Sequence, residues 1–416
     1  MISWWHSQRA RWAQRLRRVR GGSPGDRDGL RVPDRDGDPT DPGRGPNAGL
    51  RATARNAFIL SAGPVVLSVG LGLLLAAVAV RALGASPSEF YSRLFAGTLG
   101  SAYGFSQVLF KATPLLFTGL AVATAFRARL FNIGAEGQMV VGGFAMAWVG
   151  FAGPPLSAPL GLLLALAAGA LAGAAWGAIP GLIRARTGGS EVIVTIMLNF
   201  IAVALVNWLL VTRFALPETV RTAEVHAGAW LPRFSDHVEA LRGSPLNGAL
   251  GLGILLAAVL HVVLGRTVFG FSLRVLGEGA TQARYAGLPV GRLIVQTMIL
   301  SGALAGLAGS SFILGYKRYY EGDFSSGAGF TGIAVALLAR NRPLLLIPSA
   351  IFFGVLSYGG LVVNNIVPRE LLEVLQAVIL ILFIVFDRLL QRLPSRPRWG
   401  QAPPGDPAIP ATGETA

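Results

Sequence analysis

From Gly137 to Ile183 the chain runs 47 residues without one charged side chain. A helix needs about 20 apolar residues to cross the hydrocarbon core of a bilayer. This run therefore holds two crossings, separated by the proline-bearing turn 153–159. Similar runs follow one another along the chain. Asn56–Val80 has no charge, and Leu94–Phe126 has only Lys111. Val192–Thr212, Leu246–Gly265, Leu293–Tyr316, Phe324–Ala339, Pro343–Pro368 and Leu371–Phe386 complete the series. The expected fold class is an all-α membrane protein with about ten transmembrane helices, five before the polar stretch 213–245 and five after. Two homologous halves with an odd number of spans must lie in opposite orientations, the plan of many transporters. The count, rather than any visible repeat, thus predicts two inverted five-helix halves.

Composition supports the membrane reading. Only 14% of the residues are charged, against about 25% in an ordinary soluble domain. The net charge of +15 invites a nucleic-acid partner, but its distribution argues for topology. With the N-terminus inside, 26 of the 36 Lys and Arg fall in the tails and inner loops, as the positive-inside rule requires. Both termini are then cytoplasmic, and no nucleic acid is expected as a partner. Residues 1–55 hold 12 Arg and six Asp. They form a basic tail in which 1–20 suits either an interfacial helix on anionic lipid or a disordered basic tail, and 21–49 a disordered linker. Residues 56–390 form the membrane domain, and 391–416 a disordered C-terminal tail.

The residue inventory excludes several chemistries. With no Cys and four scattered His, neither a thiolate site nor a His-based metal site or triad is expected. No catalytic residue, metal or cofactor is expected either. A phosphate loop needs Gly before its Lys and Ser or Thr after it. Lys111 and Lys317, the only lysines, follow Phe110 and Tyr316, so the chain carries no such ATP site. A gradient-driven carrier should place acidic groups within its spans, yet Glu136, Glu191, Asp323 and Glu373 all fall near span ends. Energy from a separate ATPase is the better expectation, and the gradient-driven secondary transporter of a small polar solute is the alternative.

The candidate docking surface for such a partner is the longest inner loop, 266–292. There Gly277 and Gly279 precede the helix-compatible run Ala280–Ala286, closed by Gly287 and Pro289. A short helix of this kind fits a partner's groove, although an ordinary loop helix would read the same. The segment Gly277-Glu-Gly-Ala-Thr-Gln-Ala-Arg-Tyr-Ala-Gly287 resembles the coupling segment of ABC-importer permeases for simple sugars, nucleosides and branched-chain amino acids. Three further blocks bring it nearest to the nucleoside type: Leu130-Phe-Asn-Ile-Gly-Ala-Glu-Gly-Gln-Met139, Gly188-Gly-Ser-Glu-Val-Ile-Val-Thr-Ile-Met-Leu-Asn-Phe200 and Gly329-Phe-Thr-Gly-Ile-Ala-Val-Ala-Leu-Leu-Ala-Arg-Asn-Arg-Pro343. The family usually has Asn where this chain has Gly279, a weaker helix cap in this reading. The resemblance implies the transmembrane subunit of an ATP-driven importer in the plasma (inner) membrane. Its expected partners are ATP-binding-cassette subunits, a second permease (the same or a different chain), a substrate-binding lipoprotein outside and membrane lipid.

Within that frame Glu278, Arg284 and Gly287 are the expected coupling residues. Arg284 offers five donors in a rigid fork. Asn132, Glu136 and Gln138, at the start of the third span, are either helix-capping groups or part of an inner gate. Asn199 and Asn207 lie eight apart on one helical face and make either interhelical hydrogen bonds or substrate contacts. The 213–245 loop, with Trp230 among mixed charges, is the expected contact for the binding protein.

Overall fold

The computed structural model describes residues 46–392, with side chains from 63 to 390. The basic tail up to residue 45 and the C-terminal tail from 393 lie outside the described residues. The chain divides into two units, Met1–Ala57 and Phe58–Ala416, and the helices from Gly63 onward pack within the second. Helices are α1 (Pro46–Ala82), α2 (Pro87–Thr98), α3 (Ala102–Phe126), α4 (Ala135–Ala152), α5 (Leu160–Thr187), α6 (Glu191–Leu209) and α7 (Ala249–Arg266). They continue with α8 (Val268–Glu278), α9 (Ala280–Tyr285), α10 (Val290–Gly306), α11 (Ala328–Leu338), α12 (Leu346–Val363) and α13 (Glu370–Arg392). Among the described residues there is no strand, only two isolated bridges, Arg221 with Glu321 and Arg233 with Asn247.

Seven helices among the described residues are long and apolar enough to cross a bilayer. They are Gly63–Ala82, Ala102–Phe126, Leu160–Thr187, Glu191–Phe214, Ala249–Arg266, Val290–Tyr316 and Pro343–Val363. The expected spans that begin near Gly137, Phe324 and Leu371 are not among these seven, and two runs take a different form. The run Leu94–Phe126 is broken at 99–101, where Ser101 caps a new helix by accepting the Gly104 N–H at 3.0 Å. The run Phe324–Ala339 forms only the 11-residue α11, about 16 Å long at 1.5 Å per residue, half the hydrocarbon thickness. A turn with left-handed residues at Asp323, Ser326 and Gly327 leads into α11.

The centre of the fold is set by α3 and α10. The most apolar windows of these two spans are 83% and 72% buried, against 22% for α5 and α6. What α5 does bury is its glycine stripe, Gly169, Gly173, Gly177 and Gly181. This stripe lies against Gly302 and Gly306 of α10. A Cβ on Gly173 would stand 2.3 Å from the Gly302 carbonyl oxygen, and one on Gly306 would stand 2.3 Å from that of Gly169. Gly142 of α4 enters the same seam, 2.5 Å from the Gly306 Cα by the same construction. Lipid chains are as apolar as Leu, so helices in a bilayer gain from close backbone contact rather than from hiding apolar surface. The outward side chains of α5 and α6, such as Leu171 and Phe200, are accordingly exposed.

Candidate transport site

A cavity of about 840 Å³ opens between α3, the segment 308–331, α12 and the start of α13. One wall is aromatic. Phe110 meets Tyr316 edge to face with ring centres 5.3 Å apart, Tyr316 meets Phe312 at 5.8 Å, and Phe312 meets Phe324 at 5.7 Å. All four rings line the cavity, together with Gln107, Lys111, Ser325, Thr331, Ser357 and Gln376. An apolar, stackable wall with a few hydroxyls and amides is the composition that a small polar organic solute requires.

The wall owes its shape to a widened helical turn. After Gly306 the chain tightens over Leu307–Gly309 and then widens to a π-turn over Ser311–Tyr316, so that the Lys317 N–H reaches back to the Phe312 carbonyl at 2.8 Å. Such turns recur at functional sites because they re-aim side chains. Here buried Asn247 donates to the Ser311 carbonyl at 2.9 Å, and Arg233 Nε donates to that of Gly315 at 2.7 Å. Gly315 leaves room for Asn247, since a Cβ would stand 2.2 Å from its Nδ2. Arg233 and Asn247 flank the end of the 213–245 connection, which is thereby tied to the cavity wall. Val225 N–H also bonds the Arg318 carbonyl at 2.7 Å, and the Arg318 guanidinium stacks 3.5 Å from the Trp230 ring centre.

Behind the cavity lies a buried carboxylate. Glu136, in the first turn of α4, accepts the Gly329 N–H at 2.7 Å and the Ser325 hydroxyl. One negative charge thus serves the positive N-terminal ends of both α4 and α11. Burial, with the Asp323 and Glu136 charges adding to it, pushes the Tyr320 phenol above its ordinary range, so this ring stays neutral.

Asn132 donates to Gln138 Oε1 at 2.8 Å and to Ser301 Oγ at 2.7 Å, and it accepts the Gly134 N–H. Ser301 passes the chain on to the Ala121 carbonyl at 2.7 Å. Asn199 accepts the Gly137 N–H at 2.9 Å and donates to the Ile133 carbonyl at 3.0 Å. These groups join α3, α4, α6 and α10 through buried polar bonds; they do not line the cavity. Asn207 lies elsewhere, on an open hollow of about 600 Å³ with Arg221, Glu321 and Asp323. The residues that do line the cavity, Phe110, Lys111, Phe312, Tyr316 and Phe324, belong to no motif that marks a site in the sequence. Lys111, the one charge in its run, is the available signal.

Residues 104–384 match the family described as the permease component of the branched-chain amino acid transport system. The chain belongs to that family. The permease is 37% identical over 331 residues to the guanosine ABC transporter permease protein NupP of Bacillus subtilis, covering 77% of this chain and 91% of that protein. Against the glucose ABC transporter permease protein TsgB13 of Haloferax volcanii it is 34% identical, over 80% and 89% of the two chains. Against the nucleoside ABC transporter permease protein NupB of Lactococcus lactis the figures are 32%, 77% and 90%.

In the permease the segment 277–287 holds the end of α8, Gly277 and Glu278, and then the short helix α9. No side chain caps its start at Gly279. Its end is closed by Gly287, at φ +73°, with the Gly287 and Leu288 N–H groups returning to the Arg284 and Ala283 carbonyls at 2.9 Å each. Ala283 is the buried side of this helix; Arg284 is exposed, Tyr285 is 89% exposed, and Glu278 just before it is exposed too. Gly277 lies so near the Arg127 carbonyl oxygen that a Cβ would stand 2.5 Å from it. The permease therefore packs α8, just ahead of α9, on the turn leading to Asn132 and Glu136, while α10 leaves from the other side of α9. Burial, and then repulsion from Arg274 and Arg342, lowers the Arg127 pKa.

Proposed function

We propose that this permease is the transmembrane subunit of an ATP-driven importer in the plasma membrane and that it conducts nucleosides. The observation that carries the substrate reading is the cavity. Its ring wall suits a stacked base, worth about 1–3 kcal/mol per base on an aromatic platform. Its hydroxyls and amides suit a sugar. Relatives named for guanosine and nucleosides support the same class, and one named for glucose keeps a free sugar as the variant within it. A second permease subunit, a pair of ATPase subunits and a substrate-binding lipoprotein complete the assembly. The chain supplies about ten membrane segments in two inverted halves, with both termini in the cytoplasm. Here α4, α11 and α13 join the seven helices that are long and apolar enough to cross a bilayer.

In this reading α9 is the coupling helix. Tyr285 and Arg284 enter a groove on the ATPase, with Glu278 beside them. Movement of α9 acts directly on α10 and, through α8, on the 127–137 turn. Between them α10 supplies Ser301 and the turn supplies Asn132 and the Glu136 carboxylate, so the cavity wall responds as one unit. Asn199 holds the same turn from α6, and Asn207 faces the binding-protein side with the 213–245 connection. Glu136 and Glu191 have firm partners, Gly329 and Ser325 for the first, Arg184 at 3.3 Å for the second, which disfavours a proton relay.

Uptake of labelled nucleosides and sugars by cells that express the permease together with an ATPase and a substrate-binding protein that co-purify with it tests the proposal. Concentrative nucleoside uptake that needs all subunits is the expected result. Uptake by the permease alone, driven by an ion gradient, would overturn it.

A further inference from the structure

Among the described residues Lys111 is the one cation of the cavity wall outside any ion pair. It lies nine residues inside α3, about 13 Å along the helix from Ala102 at 1.5 Å per residue, and it lines the cavity next to Phe110. None of the ion pairs among the described residues includes it. Arg369, the other cation lining the cavity, is paired with Glu370 at 3.2 Å. An unneutralised charge at membrane depth is costly to keep and so marks a functional contact.

We propose that Lys111 sets base selectivity, favouring purine nucleosides that carry a keto group at C6 over those that carry an amino group. This rests on the nucleoside reading above. A Lys ammonium offers three donors and no acceptor. A 6-oxopurine presents two adjacent acceptors, O6 and N7, whereas adenine presents the N7 acceptor beside an amino donor. Lys111 lines the same cavity as Phe110 and Tyr316, so a base seated against one of these rings can present its edge to the ammonium across the cavity. With inosine the ammonium gains acceptors; with adenosine it faces another donor and stays unsatisfied. Glu373, the carboxylate among the cavity-lining residues, makes no ion pair with Lys111, so the ammonium is left for the base edge.

The test compares inosine with adenosine, which differ at C6 and in the N1 proton. Uptake is measured in the complete transporter for wild type, Lys111→Met, Lys111→Gln and Lys111→Arg. The binding protein is the same in every strain, so a change in the inosine-to-adenosine ratio isolates the permease. The ratio should fall by about tenfold in Lys111→Met, in line with the discrimination a base-edge hydrogen bond supplies, and it should fall likewise in Lys111→Gln. Lys111→Arg should retain it. Assembly with the ATPase, followed by co-purification, should be unchanged in all three. An unchanged ratio in both Met and Gln variants, or an equal loss of both substrates, overturns the selectivity role while leaving nucleoside import standing. Absence of nucleoside uptake in the wild type overturns both.

Discussion

Glu136 Oε2 accepts the Gly329 N–H at 2.7 Å, joining the first turns of α4 and α11 across 193 residues of chain. A Cβ on Gly329 would stand 2.3 Å from the Glu136 backbone nitrogen, so the two helix starts touch backbone to backbone with the carboxylate between them. Hydrogen bonds to a charged group contribute about 1.5–3 kcal/mol. Glu136→Ala should therefore lower the melting temperature in detergent and cut uptake at least about tenfold. Glu136→Gln, which keeps one acceptor, should fall between. ATPase co-purification should survive in both variants, because α9 is untouched. Full uptake in Glu136→Ala would rule out a positioning role for this carboxylate.

The glycine seam gives a packing test. Gly173→Ala and Gly302→Ala each place a methyl 2.3 Å from a backbone oxygen of the facing helix. Overpacking of this kind costs about 1–3 kcal/mol, and here the obstacle is backbone that cannot rotate away. Gly251→Ala in α7 has nothing within 4 Å of the new carbon and should be neutral or slightly stabilising. Thermal melts of the three variants should separate the first two from the third; identical melts would mean that α5 and α10 are not so closely seated.

Charge reversal probes coupling. Arg284→Glu and Arg292→Glu both alter arginines outside the buried core, the first on α9 and the second in the first turn of α10. Like charges brought together at an interface cost several kcal/mol, whereas a surface side chain without a partner changes stability by about 0.5 kcal/mol or less. ATPase co-purification and uptake should collapse for Arg284→Glu and hardly move for Arg292→Glu. Tyr285→Ala should resemble the first. Equal, mild effects at 284 and 292 would make α9 an ordinary loop helix.

The ring wall is tested by Tyr316→Ala and Phe312→Ala. Loss of a stacking partner worth about 1–3 kcal/mol should raise the nucleoside concentration needed for half-maximal uptake by about fivefold or more. Tyr316→Phe keeps the ring and should stay near wild type. If Tyr316→Ala and Tyr316→Phe behave alike, the ring does not stack on substrate.

Hydrophobicity along the chain was sufficient to identify a membrane protein. A span is declared by about 20 local residues, and lipid leaves the backbone no cheaper choice than a helix. The four-residue spacing of the α5 glycines is a property of one helix alone, whereas the partner they pack on, Gly302 and Gly306, is supplied by the fold. Local signals also marked α9, between its glycines, and Glu136 at a helix start. Tertiary structure decided which polar groups meet the cavity. Asn132, Gln138 and Asn199 are open to a structural or a pathway role when read one helix at a time; the fold gives each a buried hydrogen-bond partner, and a buried amide is stabilised by whichever partner the fold brings within about 3 Å. The cavity wall comes from residues more than 200 positions apart, Phe110 against Tyr316, aimed by a π-turn that depends on Asn247 and Arg233. No periodicity records such a contact, because it is set by where helices cross and not by how any one of them is spaced.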